Sequence, residues 1–207
     1  LELVDIINKY NMDNSVFGIL VQMPLPKHIN VNVVQNAISY KKDVDGLTDI
    51  NMGSLVHNKK CLVPCTPKGI IELLKYYNIP IKGKDVTIVG RSNLVGKPLV
   101  NLFLNEDATV SICHSNTSDL SKYTSNCDIL VVAVGKKHLI NKSMVKEGTT
   151  IIDVGINRDN GKLCGDVCYD EVNDICNITP VPGGVGQMTI AMLASNIYEA
   201  YNLFKER

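Results

Sequence analysis

The sequence carries no net charge: 21 lysines and arginines stand against 21 aspartates and glutamates in 207 residues. That balance argues against a broad nucleic-acid footprint, which needs a basic excess. No apolar run is long enough to span a bilayer, and the longest, Ile129 to Val134, has the length of a buried strand. The seven cysteines (Cys61, Cys65, Cys113, Cys127, Cys164, Cys168 and Cys176) contain no C-x-x-C pair. Their odd number and scatter fit reduced thiols, as in the cytoplasm. Cys61, Cys65, Cys164 and Cys168 have pair spacings a zinc site could use, or they are small buried residues like the others. His28, His57, His114 and His138 show no metal spacing. No Ser-His-Asp order, internal repeat or low-complexity tract stands out. Position 1 is leucine, and Leu1 to Lys9 already reads as an amphipathic helix. A preceding segment is therefore expected, and any targeting signal would lie in it.

What is present is a regular alternation of strand and helix patterns. From Lys84 onward, short apolar runs predict strands at Val86 to Val89, Thr109 to Ile112, Ile129 to Val132, Thr150 to Val154 and Asn177 to Thr179. Helical patterns fall at Val95 to Leu104 and near Asn141 to Val145, with a turn near Leu120. Alternation with continuously apolar strands predicts an α/β fold with a parallel sheet covered on both faces. Upstream, Val16 to Val21 reads as a buried parallel strand and Val31 to Tyr40 as a helix. Thr66 and Pro67 suit the N-cap and first position of a further helix ending near Asn78. The last helix is expected from about Gln187 to Lys205, with Ile190, Leu193, Ala194, Ile197 and Ala200 facing a core. Two lobes follow: an incomplete one at 1–65 and a dinucleotide-type one at 79–183. A linking helix at 66–78 joins them, and a final helix at 184–207 returns to the first lobe.

Two glycine-bearing turns carry the chemistry. Thr179 to Thr189 holds Pro180, Pro182, Gly183, Gly184 and Gly186, too many breakers for a strand or helix interior. Gly90-Arg91-Ser92-Asn93-Leu94-Val95-Gly96 lies between a strand and a helix. That position aims backbone amides and a helix N-terminus at a pyrophosphate. Its G-x-S-x-x-x-G spacing is one residue longer than the usual dinucleotide fingerprint. The next strand ends in Cys113-His114-Ser115-Asn116, with no acid to hold ribose hydroxyls. Arg91 and Ser115 can hold a 2′-phosphate instead, which favours NADP; the other reading makes Arg91 a solvated residue at a helix end. Gln22 and Asp45 follow a strand and a charged turn, as site residues or as an ordinary loop amide and an Asp-Gly turn.

Gly18-Ile19-Leu20-Val21-Gln22-Met23-Pro24-Leu25-Pro26, Lys42-Asp43-Val44-Asp45-Gly46, Pro64-Cys65-Thr66-Pro67, Gly90-Arg91-Ser92, Asp153-Val154-Gly155-Ile156-Asn157 and the Pro182 to Thr189 segment stand in this order. Together they closely resemble the methylenetetrahydrofolate dehydrogenase/cyclohydrolase family. The resemblance implies a folate and NADP cleft between a first lobe and a Rossmann-like lobe, tetrahydrofolate derivatives as substrates, and a homodimer, with no nucleic acid or membrane partner. It places Gln22 at the catalytic centre and Asp45 on the pterin ring. Folate would lie against Val21, Gln22, Met23, Pro182, Gly183, Gly184, Val185, Gly186, Gln187, Met188, Thr189 and Ile190. NADP would meet Gly90, Arg91, Ser92, Gly96, Ser115 and Ile156. Two departures stand out. The family's Y-x-x-x-K pair, whose lysine transfers protons in hydrolysis, has no counterpart here. The sequence is therefore expected to be a fragment of the bifunctional enzyme without cyclohydrolase activity. Gln187 also stands where the family usually has proline, which should loosen that loop. The alternative is a non-catalytic NADP- or folate-binding module.

Overall fold

The computed structural model describes residues 2–159 and 161–205; Leu1, at the start of the expected first helix, lies outside them. The chain divides into two units, one from Thr66 to Thr189, the other from residues up to Cys65 together with those from Ile190 on.

In the first unit, α1 (Glu2–Met12), α2 (Val31–Ala37) and α3 (Asp49–Val56) carry the regular structure. Ile7, Ile19, Val34 and Ile38 form its core, lined by Val16, Val21 and Leu25. Asn30 caps α2 by accepting from the Asn32 and Val33 amides, and Thr48 caps α3 through the Asn51 amide. The buried Lys42 ammonium donates to the carbonyls of Tyr10, Asn11 and Asp13 at 2.7–2.9 Å, closing the C-terminal end of α1. The strand expected at Val16 to Val21 is reduced to one parallel bridge, Ile19 with Asp43. Among the described residues its ladder extends no further, and a strand needs a neighbour along its length to satisfy its amides.

In the second unit, α4 (Cys65–Tyr76) leads to β1 (Asp85–Val89), α5 (Gly96–Asn105), β2 (Thr109–Cys113), α6 (Ser121–Thr124), β3 (Ile129–Val132) and β4 (Thr150–Asp153). An antiparallel hairpin of β5 (Asn157–Asp159) and β6 (Lys162–Cys164) follows, then α7 (Tyr169–Val172), β7 (Asn177–Ile178) and the start of α8 (Val185–Lys205), whose residues from Ile190 on belong to the first unit. Five strands form one parallel sheet in the order β2-β1-β3-β4-β7, as the apolar runs predict. Alternation along β3 feeds two cores. Ile129 and Val131 join Ile70, Leu74, Leu99 and Phe103 on one face, and Leu130 and Val132 join Ile140, Val145 and Ile151 on the other.

Four expectations are corrected. Thr66 lies inside α4, which begins at Cys65, and its hydroxyl shares a hydrogen bond with Thr189 instead of capping. The segment at Asn141 to Val145 holds only a 3-10 turn, Lys142–Met144. The final helix starts at Val185, two residues early. Its buried face is Leu193, Asn196 and Ala200, while Ile190, Ala194 and Ile197 are exposed. Asn196 sets that orientation: its amide nitrogen donates to the carbonyls of Val44 and Val63, at 2.9 and 2.8 Å, and the rest of the helix surface follows.

Candidate functional site

The strand order reverses between β1 and β3, and ligands of open α/β sheets bind beyond the carboxyl ends of strands at such a switch point. Gly90 leaves β1 there with φ near 122°, closed to other residues, and a Cβ on it would strike the Ala133 carbonyl at the end of β3. Gly96, the first residue of α5, packs equally tightly against the Gly90 and Arg91 backbone. The turn is thus folded onto itself, and Arg91, Ser92, Asn93 and Leu94 are pushed into solvent. The Ser92 hydroxyl accepts from the Val95 amide at 3.1 Å, and its carbonyl from the Lys97 amide at 3.0 Å.

Other expected cofactor residues stand on the same edge of the sheet. Ser115 is exposed beyond β2, in a turn fixed by the His114 ring, whose Nδ1 accepts from the Asn116 amide. Ile156 is exposed beyond β4. Past β7, Pro182, Gly183 and Gly184 form the connection. Val185 to Ile190 form the first turns of α8. Gln187 is exposed there, and its amide donates to the Gly184 carbonyl at 3.2 Å. The Gln187 amide, which a proline would lack, thus closes a turn at the start of α8. Met188 packs on Gly69, and the Thr189 hydroxyl donates to Val185.

In the first unit, the Ile19–Asp43 bridge starts residues 20–22 and 44–46 in one direction from a common point. Gln22 is exposed, its amide donating to the Met23 carbonyl at 3.1 Å, with Val21 and Met23 half-buried beside it. Asp45 is half-buried. Burial pushes its carboxyl above the usual range, the Asp43 carboxylate adds to this, and a hydrogen bond with Cys65 opposes it. The Cys65 thiol also donates to the Val44 carbonyl at 3.4 Å. Asp43 accepts from the Thr48 amide and from Asn51. The K-D-V-D-G turn and the P-C-T-P segment are tied to each other at Asp45.

A pair of buried carboxylates, Asp153 and Asp166, lies below the switch point and was not among the residues expected at the site. Asp153, at the end of β4, accepts from the amides of Gly155, Asp166 and Val167. Burial pushes its carboxyl up, those three amides pull it down, and the charge of Asp166 raises it again. Among the described residues no group of three or more His, Cys, Asp or Glu side chains is placed to hold a metal. None of the seven cysteines is in a disulfide, and Cys65, Cys113, Cys127 and Cys176 are buried.

Residues 64–205 match the family described as tetrahydrofolate dehydrogenase/cyclohydrolase, NAD(P)-binding domain, and residues 1–45 match its catalytic domain. The chain belongs to the tetrahydrofolate dehydrogenase/cyclohydrolase family. The bifunctional protein FolD of Clostridium novyi (strain NT) is 54% identical over 199 residues, 96% of this chain and 72% of that protein. The crystal structure of the bifunctional enzyme FolD from Campylobacter jejuni is 50% identical, with a TM-score of 0.95 over 97% of this chain and 73% of that one. A FolD structure from Trypanosoma brucei, complexed with NADP cofactor and inhibitor, is 36% identical, with a TM-score of 0.92 over 99% of this chain and 72% of that one. The glycine cradle of this tetrahydrofolate dehydrogenase/cyclohydrolase chain fits a dinucleotide. Its backbone is bare where a pyrophosphate approaches, and it opens onto the N-terminus of the ten-residue helix α5. Among the described residues no helix is long and apolar enough to cross a membrane.

Proposed function

We propose that the protein oxidises 5,10-methylenetetrahydrofolate to 5,10-methenyltetrahydrofolate with NADP as the oxidant, in one-carbon metabolism; hydrolysis of the product to 10-formyltetrahydrofolate, the second reaction of the bifunctional family, needs a proton-transfer lysine that has no counterpart among these residues. The observation that carries this reading is the Gly90–Gly96 cradle at the switch point, in a chain of this family, flanked by Arg91 and Ser115 and by no acid from Cys113 to Asn116 at the end of β2.

NADP, when bound, supplies the hydride acceptor. The chain's own task is alignment, because the cation left on the one-carbon bridge is shared by its two flanking nitrogens and needs little further help. Gly90, Gly96 and Ser92 keep the turn open for the pyrophosphate. Arg91 and Ser115 take the 2′-phosphate, and Ile156 offers an exposed apolar surface. Gln22 presents a carboxamide to the reacting centre. Asp45 accepts N–H groups of the pterin, its place fixed by Cys65 and by the turn it closes. Val21, Met23 and the segment from Pro182 to Ile190 complete the folate contacts. In this reading residues 1–65 form the folate lobe and 79–183 the NADP domain, with 66–78 linking them and 184–207 closing the first lobe. The protein is a homodimer, for which the exposed Ile112 on the edge strand β2 and Leu104 on α5 provide apolar surface. Its seven cysteines, none in a disulfide, suit the reducing cytoplasm.

The test is a spectrophotometric assay with methylenetetrahydrofolate, supplied with NADP and separately with NAD, following reduced cofactor and methenyl product. Stoichiometric reduced cofactor with NADP is expected, and loss of methenyl signal reads hydrolysis separately. Cofactor binding without turnover would refute the enzymatic reading in favour of a binding module. Sedimentation velocity reads the dimer.

A further inference from the structure

Asp166, fully buried between β6 and α7, reaches two loops at the carboxyl edge of the sheet at once. One carboxylate oxygen accepts from the amides of Val134 and Gly135, just past β3, at 2.8 and 3.0 Å. The other accepts from the side-chain amide of Asn157, just past β4, at 2.9 Å. Asn157 donates in addition to the Gly165 carbonyl at 3.1 Å. Gly155 lies flush against the same carboxylate, with no room for a Cβ. Asp153 in turn grips the Asp166 amide at 3.0 Å, so the aspartate is anchored to the strand whose loop it holds.

Of the two loops, 133–135 borders the switch point and 155–157 follows the next strand, β4. Ala133, whose carbonyl meets Gly90, directly precedes the two amides that Asp166 holds, and the exposed Ile156 lies between Gly155 and Asn157. A charge taken out of water needs several donors to be tolerated, and a carboxylate with three of them holds its donors more firmly than a neutral acceptor would. An oxygen pair of this geometry is therefore a brace between β3 and β4 at the place where a dinucleotide would rest.

We infer that Asp166 is a positioning residue for the dinucleotide, holding the 133–135 and 155–157 backbone in the arrangement that receives NADP without itself touching it. This rests on the reading that the second unit binds NADP. In Asp166→Asn the carboxamide oxygen can still accept from Val134 and Gly135. Its NH2 group then faces the NH2 of Asn157, and that arm of the brace opens.

The test measures NADP affinity of the full chain by titration calorimetry, with amide hydrogen exchange at Val134 and Gly135 in the free protein. For Asp166→Asn, NADP affinity should fall about tenfold, with faster exchange at both amides and methylenetetrahydrofolate affinity unchanged. Asn157→Ala, which keeps the carboxylate, should shift both readouts the same way by about threefold, and it decides the matter if Asp166→Asn does not fold. Ile71→Val, a loss of one buried methylene in the opposite core, controls for lowered stability and should leave NADP affinity unchanged. Unaltered NADP affinity in the Asp166 and Asn157 variants, or an equal loss in Ile71→Val, overturns the inference. If the unaltered chain binds no NADP, the functional reading falls and this inference falls with it.

Discussion

Replacing Gly96 by alanine should damage the cofactor turn even though alanine is the better helix former. On an isolated helix the change would gain up to about 1 kcal/mol, and less at a first helical position. Here the added Cβ would lie 2.7 Å from the Gly90 carbonyl carbon and 2.9 Å from the Arg91 Cα, with the Gly90 oxygen closer still. These are backbone atoms, and Gly90 is itself wedged against Ala133, so the strain cannot be relieved by turning a side chain. Overpacking of this kind costs roughly 1–3 kcal/mol, and the immobile neighbours place it in the upper half of that range. The net loss should be about 2 kcal/mol, which lowers a urea midpoint by about 1 M for an m-value near 2 kcal/mol/M. NADP affinity should fall at least about tenfold, because the α5 N-terminus and the Gly90–Arg91 backbone are what must move. Gly53→Ala, in α3 with nothing within 4 Å of the new methyl, is the control. It should raise stability by about 0.5–1 kcal/mol. A Gly96→Ala protein with wild-type midpoint and wild-type NADP affinity would show that the turn is not packed as described.

Arg91→Ala should raise KM for NADP by about 10- to 100-fold, as for a lost charge-assisted phosphate contact, and leave KM for NAD nearly unchanged. An equal rise for both cofactors would remove Arg91 from the 2′-phosphate. Asp45→Asn bears on pH dependence. The folded state raises this carboxyl, so its contribution to stability is present below the unfolded pKa near 4 and is lost as pH rises through the folded value. The variant should therefore match wild type at low pH and gain relative stability by pH 7, while losing turnover. Urea midpoints across pH 4 to 8 check the first point, and the same deficit at every pH would contradict it. Lys42→Met should destabilise by about 3 kcal/mol, since it removes an ammonium from three part-buried carbonyls. Equilibrium denaturation reads it, and a loss below about 0.5 kcal/mol would mean that solvent replaces those bonds.

The parallel sheet was legible because both of its faces are covered. Runs such as Ile129 to Val132 have no polar alternation to confuse with a surface strand; that one ends where the structure puts it, and the other four strands differ from their expected bounds by one residue at one end. The cofactor turn was legible because glycine at a strand end has a steric reason to be there. The β5–β6 hairpin carried one signal, the Asn160-Gly161 dipeptide between its strands, but Asn157 to Asp159 and Lys162 to Cys164 are short and mostly polar, without the apolar alternation that marks a strand pair. Helix α3 was hidden by Gly53 and by an apolar content with little periodicity. The exposed side of α8 was misjudged because a stripe of isoleucines suggests a core, whereas the buried position belongs to Asn196. Its partners Val44 and Val63 are 152 and 133 residues away. Asp166 fails for the same reason: a lone aspartate between Gly165 and Val167 has no spacing signal, and its meaning comes from amides 31 and 32 residues upstream.

The hydrogen bond between the Thr66 and Thr189 hydroxyls, 2.9 Å long, joins the first and last residues of the second unit. That unit is one uninterrupted stretch whose two ends meet, inserted into a first unit made from the two flanks of the chain. On the ribosome the order of completion is then fixed. The inserted stretch has all of its strands once Thr189 has emerged, and it can close while synthesis continues. The flanking unit cannot, because Val44 and Leu62 wait for Ala200 to complete their core and the Val44 carbonyl waits for Asn196. A nascent chain stalled with Thr189 clear of the ribosome would thus carry a nucleotide-ready half and an open one, and NADP capture would precede any competence toward folate.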